Sequence, residues 1–217
     1  MNLCIPPRPL CLSFHPNYFS YHSKTCFVFF GPRVCPFSRI VFKQCFYFNG
    51  FSLLLVMDVY GLTIPVHKGL TNLELVKYAQ ELKIPNFRGV FMKDTLPKRI
   101  NINECGIMNF NSSKQPGSHW VCYYKNPLRR IYFDSFGQIT PIEIQKYLKT
   151  PTEFELGEGV VQRNTDIVQH VNTHVCGHLC LFVLTSLSRE HHSFQTVLQQ
   201  LNDGYTQGYR QITDKTV

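Results

Sequence analysis

Four residues with the side chains of acyl-transfer chemistry occur in one order along the chain: His119, Asp134, Gln169 and Cys176. A thiolate can attack an amide carbonyl, and an imidazole can hold the proton the thiol gives up and deliver it to the departing amine. A carboxylate beside that imidazole fixes its tautomer and stabilises its cation. The attack makes an oxyanion, which needs two hydrogen-bond donors, commonly one side-chain amide and one backbone N–H. Gln169 lies seven residues before Cys176 and could supply the first donor, with the N–H of Cys176 as the second. Each residue also has a plainer reading. His119 can be a strand-start residue, Asp134 the opening of the turn DSFG, Cys176 a buried inert thiol and Gln169 a surface glutamine like Gln162, Gln195 and Gln199.

Two elements must position this set. The first is a hairpin: HWVCYYK and RRIYFD are rich in β-formers and are joined through Asn126, Pro127 and Leu128, a turn signal. With Pro127 and Leu128 as the two central turn residues, Asn126 pairs with Arg129 and Asp134 stands opposite Val121. Opposed residues share a sheet face, as do residues two apart on one strand, so Asp134 becomes a diagonal same-face neighbour of His119. Trp120 falls on the other face. A loop one residue longer would reverse this parity. The second element is CGHLCLFVLTSL, apolar nearly all round and hence a buried helix. Its first turn offers Cys176 unpaired N–H groups and the positive end of the helix dipole, both of which favour the thiolate. Gly177 presents no side chain to a carbonyl approaching the sulfur. Cys180, one turn on, reads as a small core residue.

A metal reading stands beside this one. His174, Cys176, His178 and Cys180 alternate, and all are zinc-ligand types. On a helix, positions two apart point about 200° apart, so the four cannot converge on one ion. No metal is expected.

Elsewhere the pattern from Met57 onward reads as one α+β domain. TNLELVKYAQEL opens with a capping box, Thr71 with Glu74, and Pro85 follows its end. CGIMNF, Cys105 to Phe110, predicts a strand, and GVVQ and DIVQ predict two more. TPIEIQKYL predicts a helix with Thr140 as N-cap and Pro141 at its first position. SFQTVLQQL predicts a last amphipathic helix. Residues 1–56 differ in kind. They hold no Asp or Glu, five of the 22 Lys and Arg, ten of the 18 Phe and five of the nine Cys, with no sustained period. They are expected to lie outside the domain, which spans 57–217. Most of the net charge of +8 is thereby explained, and the total is no argument for a nucleic-acid partner. The signal-peptide layout is missing from MNLCIPPRPL, and no apolar run reaches bilayer length. A reducing intracellular setting, cytoplasm or nucleus, with free thiols is expected, as is a monomer.

Taken together, GSHWVCYY, YFDSFG, Gln169 and CGHLC resemble the adenovirus-type cysteine proteases (adenain) and, more distantly, the SUMO-specific proteases. LTNLELVKYAQEL followed by FRGVFMKDTLP resembles the version carried by Polinton/Maverick-type transposons and related virus-like elements. The resemblance covers Met57 to about Leu201. It implies a papain-like fold in permuted order, with a mixed central sheet and a buried nucleophile helix. It assigns His119 as general base, Asp134 as its orienter, Cys176 as nucleophile and Gln169 as oxyanion donor, and it puts Trp120 and Gly177 at the substrate groove. Adenain carries Glu where Asp134 stands; the SUMO proteases carry Asp. The implied activity is cleavage of a protein or peptide substrate after small residues such as Gly, without a cofactor. Adenain also uses DNA and a short peptide as activators, but no position here carries those contacts. An isopeptidase for ubiquitin-like proteins and an inactive relic or binding protein stand as alternatives.

Overall fold

The computed structural model of the chain describes residues 40–46 and 53–213, with side chains described over 56–204. The chain is α+β and contains two sheets. A small antiparallel sheet holds β1 (Ile40–Phe46), β2 (Leu53–Val59) and β3 (Leu62–Pro65) in that order. Its second hairpin turns on Tyr60 and Gly61, with φ of 50° and 88°. Two consecutive positive φ values make a two-residue turn whose twist matches the strands it joins, and the Asp58 carboxylate accepts the Gly61 N–H at 2.8 Å.

The expected domain boundary between Val56 and Met57 falls inside β2. Val56 is buried, and β2 pairs along its length with β1, a strand not anticipated from the sequence. The other residues of the acid-free segment, 1–39 and 47–52, lie outside the described residues.

After β3 comes α1 (Asn72–Glu81), opened by the capping box in which Thr71 and Glu74 exchange hydrogen bonds. The large sheet follows, mixed and five-stranded: β4 (Phe87–Met92), β5 (Glu104–Asn109), β6 (Trp120–Lys125), β7 (Arg130–Phe133) and β8 (Gln162–Arg163), in sequential order. The two outer pairings are parallel and the two inner ones antiparallel. Between β7 and β8 lie α2 (Ile142–Leu148) and α3 (Pro151–Glu155); after β8 come α4 (Cys176–Ser188) and α5 (Phe194–Thr213).

Alternation along the strands divides the core. Ile107, Cys122, Tyr124, Ile131 and Phe133 face α4, whereas Met108, Val121, Tyr123 and Tyr132 face Ile144, Tyr147 and Leu148 of α2. Met57, Val59 and Ile64 of the small sheet join the α4 side. All thirteen residues of α4 are buried. Its hydroxyls are satisfied within the helix: Thr185 donates to the Leu181 carbonyl and Ser186 to the Phe182 carbonyl, each at 2.8 Å. Each large apolar side chain so buried contributes about 1.5–3 kcal/mol, and truncating Phe182 to Ala would cost about 3–5 kcal/mol.

Two expectations at element level need correction. The helix at TPIEIQKYL begins at Ile142 with Pro141 as its flanking residue and no side-chain cap; Thr140 stands one place too early to cap it. DIVQ forms no strand: Asp166 to Gln169 is a loop tied down by the Val168 N–H on the Ser135 carbonyl at 2.9 Å. Of GVVQ only the last residue enters a strand, the two-residue β8.

Candidate active site

The hairpin of β6 and β7 has the register the turn residues require. Cys122 pairs with Phe133 and Lys125 with Arg130, and Asn126 N–H donates to the Arg129 carbonyl at 2.9 Å. The Asn126 side chain locks the turn by accepting the N–H groups of Leu128 and Arg129 at 2.9 and 2.7 Å. This register carries His119, just before β6, and Asp134, just after β7, to the same end and face of the sheet. Their side chains meet: His119 Nε2 lies 2.7 Å from Asp134 Oδ1.

Asp134 is fully buried and held at every polar group. Its Oδ1 also accepts the Phe136 N–H at 2.9 Å. Its backbone is clamped by Asn164, which accepts the Asp134 N–H at 3.0 Å and donates to the Asp134 carbonyl at 2.6 Å. The His119 ring sits between Phe136 and Phe110, at centroid separations of 4.9 and 5.7 Å. Burial by itself pushes the His119 pKa down. The hydrogen bonds to Asp134 and then Cys176, with the charges of both, outweigh it and raise the pKa to about 9. Cys176 is thus one of the two groups that act on the ring. With Nε2 on Asp134, Nδ1 is the nitrogen left for the sulfur.

Cys176 is the first residue of α4, and the flanking Val175 supplies no side-chain cap. The N–H groups of the first turn are thus left to whatever occupies the space in front of the helix. Among the four described cysteines Cys176 is the most accessible, at 8%, against at most 1% for Cys105, Cys122 and Cys180. Burial holds the thiols of Cys105 and Cys180 well above the usual cysteine range, Cys180 further through its hydrogen bond with Cys122.

Gln169 is buried in the loop before α4. Ser135 Oγ donates to its Oε1 at 2.7 Å, and its Nε2 donates to the Thr173 carbonyl at 2.8 Å. The second N–H of that amide remains for a ligand. Gln169 and Cys176 line a common cleft of about 870 Å³, together with Trp120, Phe136, Leu70 and His174. Trp120 forms part of its wall with the indole N–H fixed on the Leu70 carbonyl at 2.8 Å. Among the described residues, no Asp, Glu, Lys or Arg lines the cleft.

The geometry thus brings His119, Asp134, Gln169, Cys176 and Trp120 to one site. Gly177 has a different place from the one expected. It is buried and does not line the cleft; a Cβ there would sit 3.1 Å from Leu75 and 3.3 Å from Trp120. The missing side chain lets α4 approach the tryptophan rather than a substrate approach the sulfur. The other alternating residues also turn elsewhere: His178 Nε2–H donates to the Pro65 carbonyl at 2.9 Å, and Cys180 Sγ lies 3.5 Å from the Trp120 carbonyl. Ser135 and Asn164, which hold Gln169 and Asp134, carry no signal in the sequence. Polar residues in loops carry no pattern that reveals such long-range pairings.

No family model matches the chain, and no curated protein matches it. Among solved structures it is similar to the crystal structure of the selenomethionine form of the ASFV pS273R protease. The two are 14% identical, with 64% of this chain and 67% of that chain covered and a TM-score of 0.41.

Proposed function

We propose that this protein is a thiol-dependent endopeptidase with Cys176 as nucleophile. One observation carries the reading: a buried Asp134–His119 pair at 2.7 Å, with Cys176 acting on the same ring from the open end of a buried helix. The raised pKa of His119 makes the ring a ready acceptor for the proton that the thiol gives up. The thiolate attacks the substrate carbonyl, and the resulting oxyanion takes the free N–H of Gln169 and the backbone N–H of Cys176. His119 gives its proton to the departing amine, leaving a thioester. It then takes a proton from water, whose hydroxide displaces the sulfur and releases the acid. Asp134 holds the ring throughout. The aromatic walls at Trp120 and Phe136 and the uncharged lining support a substrate with small neutral residues before the scissile bond, Gly foremost. The order His, Asp, Gln, Cys and the helix buried against a mixed sheet support a permuted papain-like enzyme. Maturation of proteins of a virus-like element is the role we assign it.

The test is cleavage of Gly-Gly-X peptides and of ubiquitin-like fusions by the full chain, with alkylation by iodoacetamide at neutral pH read by mass spectrometry. Cys176 is expected to react first, and Cys176→Ala to abolish cleavage. Gln169→Ala is expected to lower kcat by about 10²–10³ with KM little changed. Preferential labelling of Cys122 or Cys180 would reverse the assignment.

A further inference from the structure

Asn109 ends β5 and pairs with Trp120 across the sheet. It is 1% exposed, yet it lines the cleft. Its carboxamide is oriented without ambiguity, because Oδ1 accepts two backbone N–H groups, from Asn111 at 3.0 Å and from Ser118 at 3.1 Å. That assignment fixes the other end of the amide as NH₂, and Nδ2 has no hydrogen-bond partner among the described residues. Gly117, also in the cleft lining, stands close to it: a Cβ there would come within 3.1 Å of Nδ2. Glycine thus keeps open the space in front of the donor.

Nδ2 is not among the buried atoms cut off from water, so solvent in the cleft can serve it in the free protein. A ligand that displaces this water must supply an acceptor or leave the donor unpaired at a cost of about 1–3 kcal/mol. A charged acceptor is disfavoured, since among the described residues no Lys or Arg lines the cleft to neutralise it. The neutral acceptor present in every peptide is the main-chain carbonyl. We infer that Asn109 Nδ2 is a substrate-binding donor that takes a main-chain carbonyl of the bound peptide, other than the scissile one. This subsite rests on the peptidase reading, because it supposes an extended peptide in the cleft. It makes recognition partly independent of side chains, and it lies apart from the oxyanion donors at Gln169 and Cys176.

The test variant is Asn109→Asp, which keeps an oxygen to accept both backbone N–H groups and removes the donor. Its KM for a cleaved peptide is expected to rise about tenfold or more, with kcat changed much less. A series of the same peptide with single thioamide replacements supplies a second readout that does not depend on the variant's stability. A thioamide sulfur is a weaker acceptor, so one position away from the scissile bond is expected to raise KM in the wild type and to lose that effect in Asn109→Asp. If the wild type cleaves no peptide, the peptidase reading fails. If it cleaves while no thioamide position couples to residue 109, the subsite alone is overturned. Slower alkylation of Cys176 in Asn109→Asp would also overturn it, by showing that the residue acts through the Cys–His pair.

Discussion

His119 and His178 are both largely withdrawn from water, and both lie close to the first turns of α4, yet their environments drive them to opposite states. His178 is completely buried and donates to the Pro65 carbonyl, while its Nδ1 is buried with no partner. Burial pushes its pKa down, the Pro65 carbonyl and the charge of Glu74 recover only part of that, and the result is about 4. His119 is also penalised by burial, but it has a buried carboxylate on one nitrogen and Cys176 acting on the ring, and its pKa rises to about 9. Desolvation alone therefore does not make a histidine functional. What separates the two is a charged partner and an open side: one ring is a neutral spacer in a core, the other a proton store at a cleft.

The largest effect that would sharpen this contrast is in turnover. His119→Ala is expected to lose essentially all peptide cleavage and to slow alkylation of Cys176, whereas His178→Ala should cleave at a rate within a few-fold of wild type. Equal losses in the two variants would break the comparison. Stability should show the reverse order. His178→Ala opens a cavity and strands the Pro65 carbonyl, a loss of about 2–4 kcal/mol readable by urea unfolding, and His119→Ala should cost less. Next in size is Asp134→Asn. It removes the charge that raises the His119 pKa, so the pH profile of Cys176 alkylation should shift, and some cleavage should survive because the helix terminus and the imidazole still favour the thiolate.

The smallest effect is in the pH dependence of stability, and its sign differs for the two rings. His119 has a folded pKa above the ordinary 6.5, so its contribution is complete below pH 6.5 and is lost as pH rises through about 9. His178 has a folded pKa below 6.5, so its contribution is complete above pH 6.5 and is lost as pH falls through about 4. The melting-temperature advantage of wild type over His119→Ala should therefore shrink on the alkaline side. Its advantage over His178→Ala should shrink on the acid side.

The parts of the site that could be read in advance share one property: local chemistry fixes them. The two-residue turn at Pro127 and Leu128 sets the hairpin register, and parity then carries His119 to Asp134 without any knowledge of the rest of the fold. The capping box at Thr71 and the all-apolar run after Cys176 are equally local. The parts that stayed hidden depend on chain segments far apart in sequence. The parallel pairing of β4 with β5 leaves no turn signature between them. The Ser135–Gln169 bond joins two loops 34 residues apart, and Gly177 is explained only once Trp120 and Leu75 are seen against it. β1 and the start of β2 lie in a segment whose lack of acidic residues masks the strand-forming run Ile40–Phe46 within it.

The indole of Trp120 has one further consequence. It is the single tryptophan among 217 residues, its N–H is held on the Leu70 carbonyl, and its ring borders the cleft beside Gln169 and Cys176. The chain therefore carries its own optical reporter at the position where a ligand would sit. A peptide entering the cleft displaces water from the ring, and the intrinsic emission should change in wavelength and intensity as the cleft fills. Occupancy of Cys176→Ala by an uncleaved peptide can then be titrated by fluorescence alone, with no attached label.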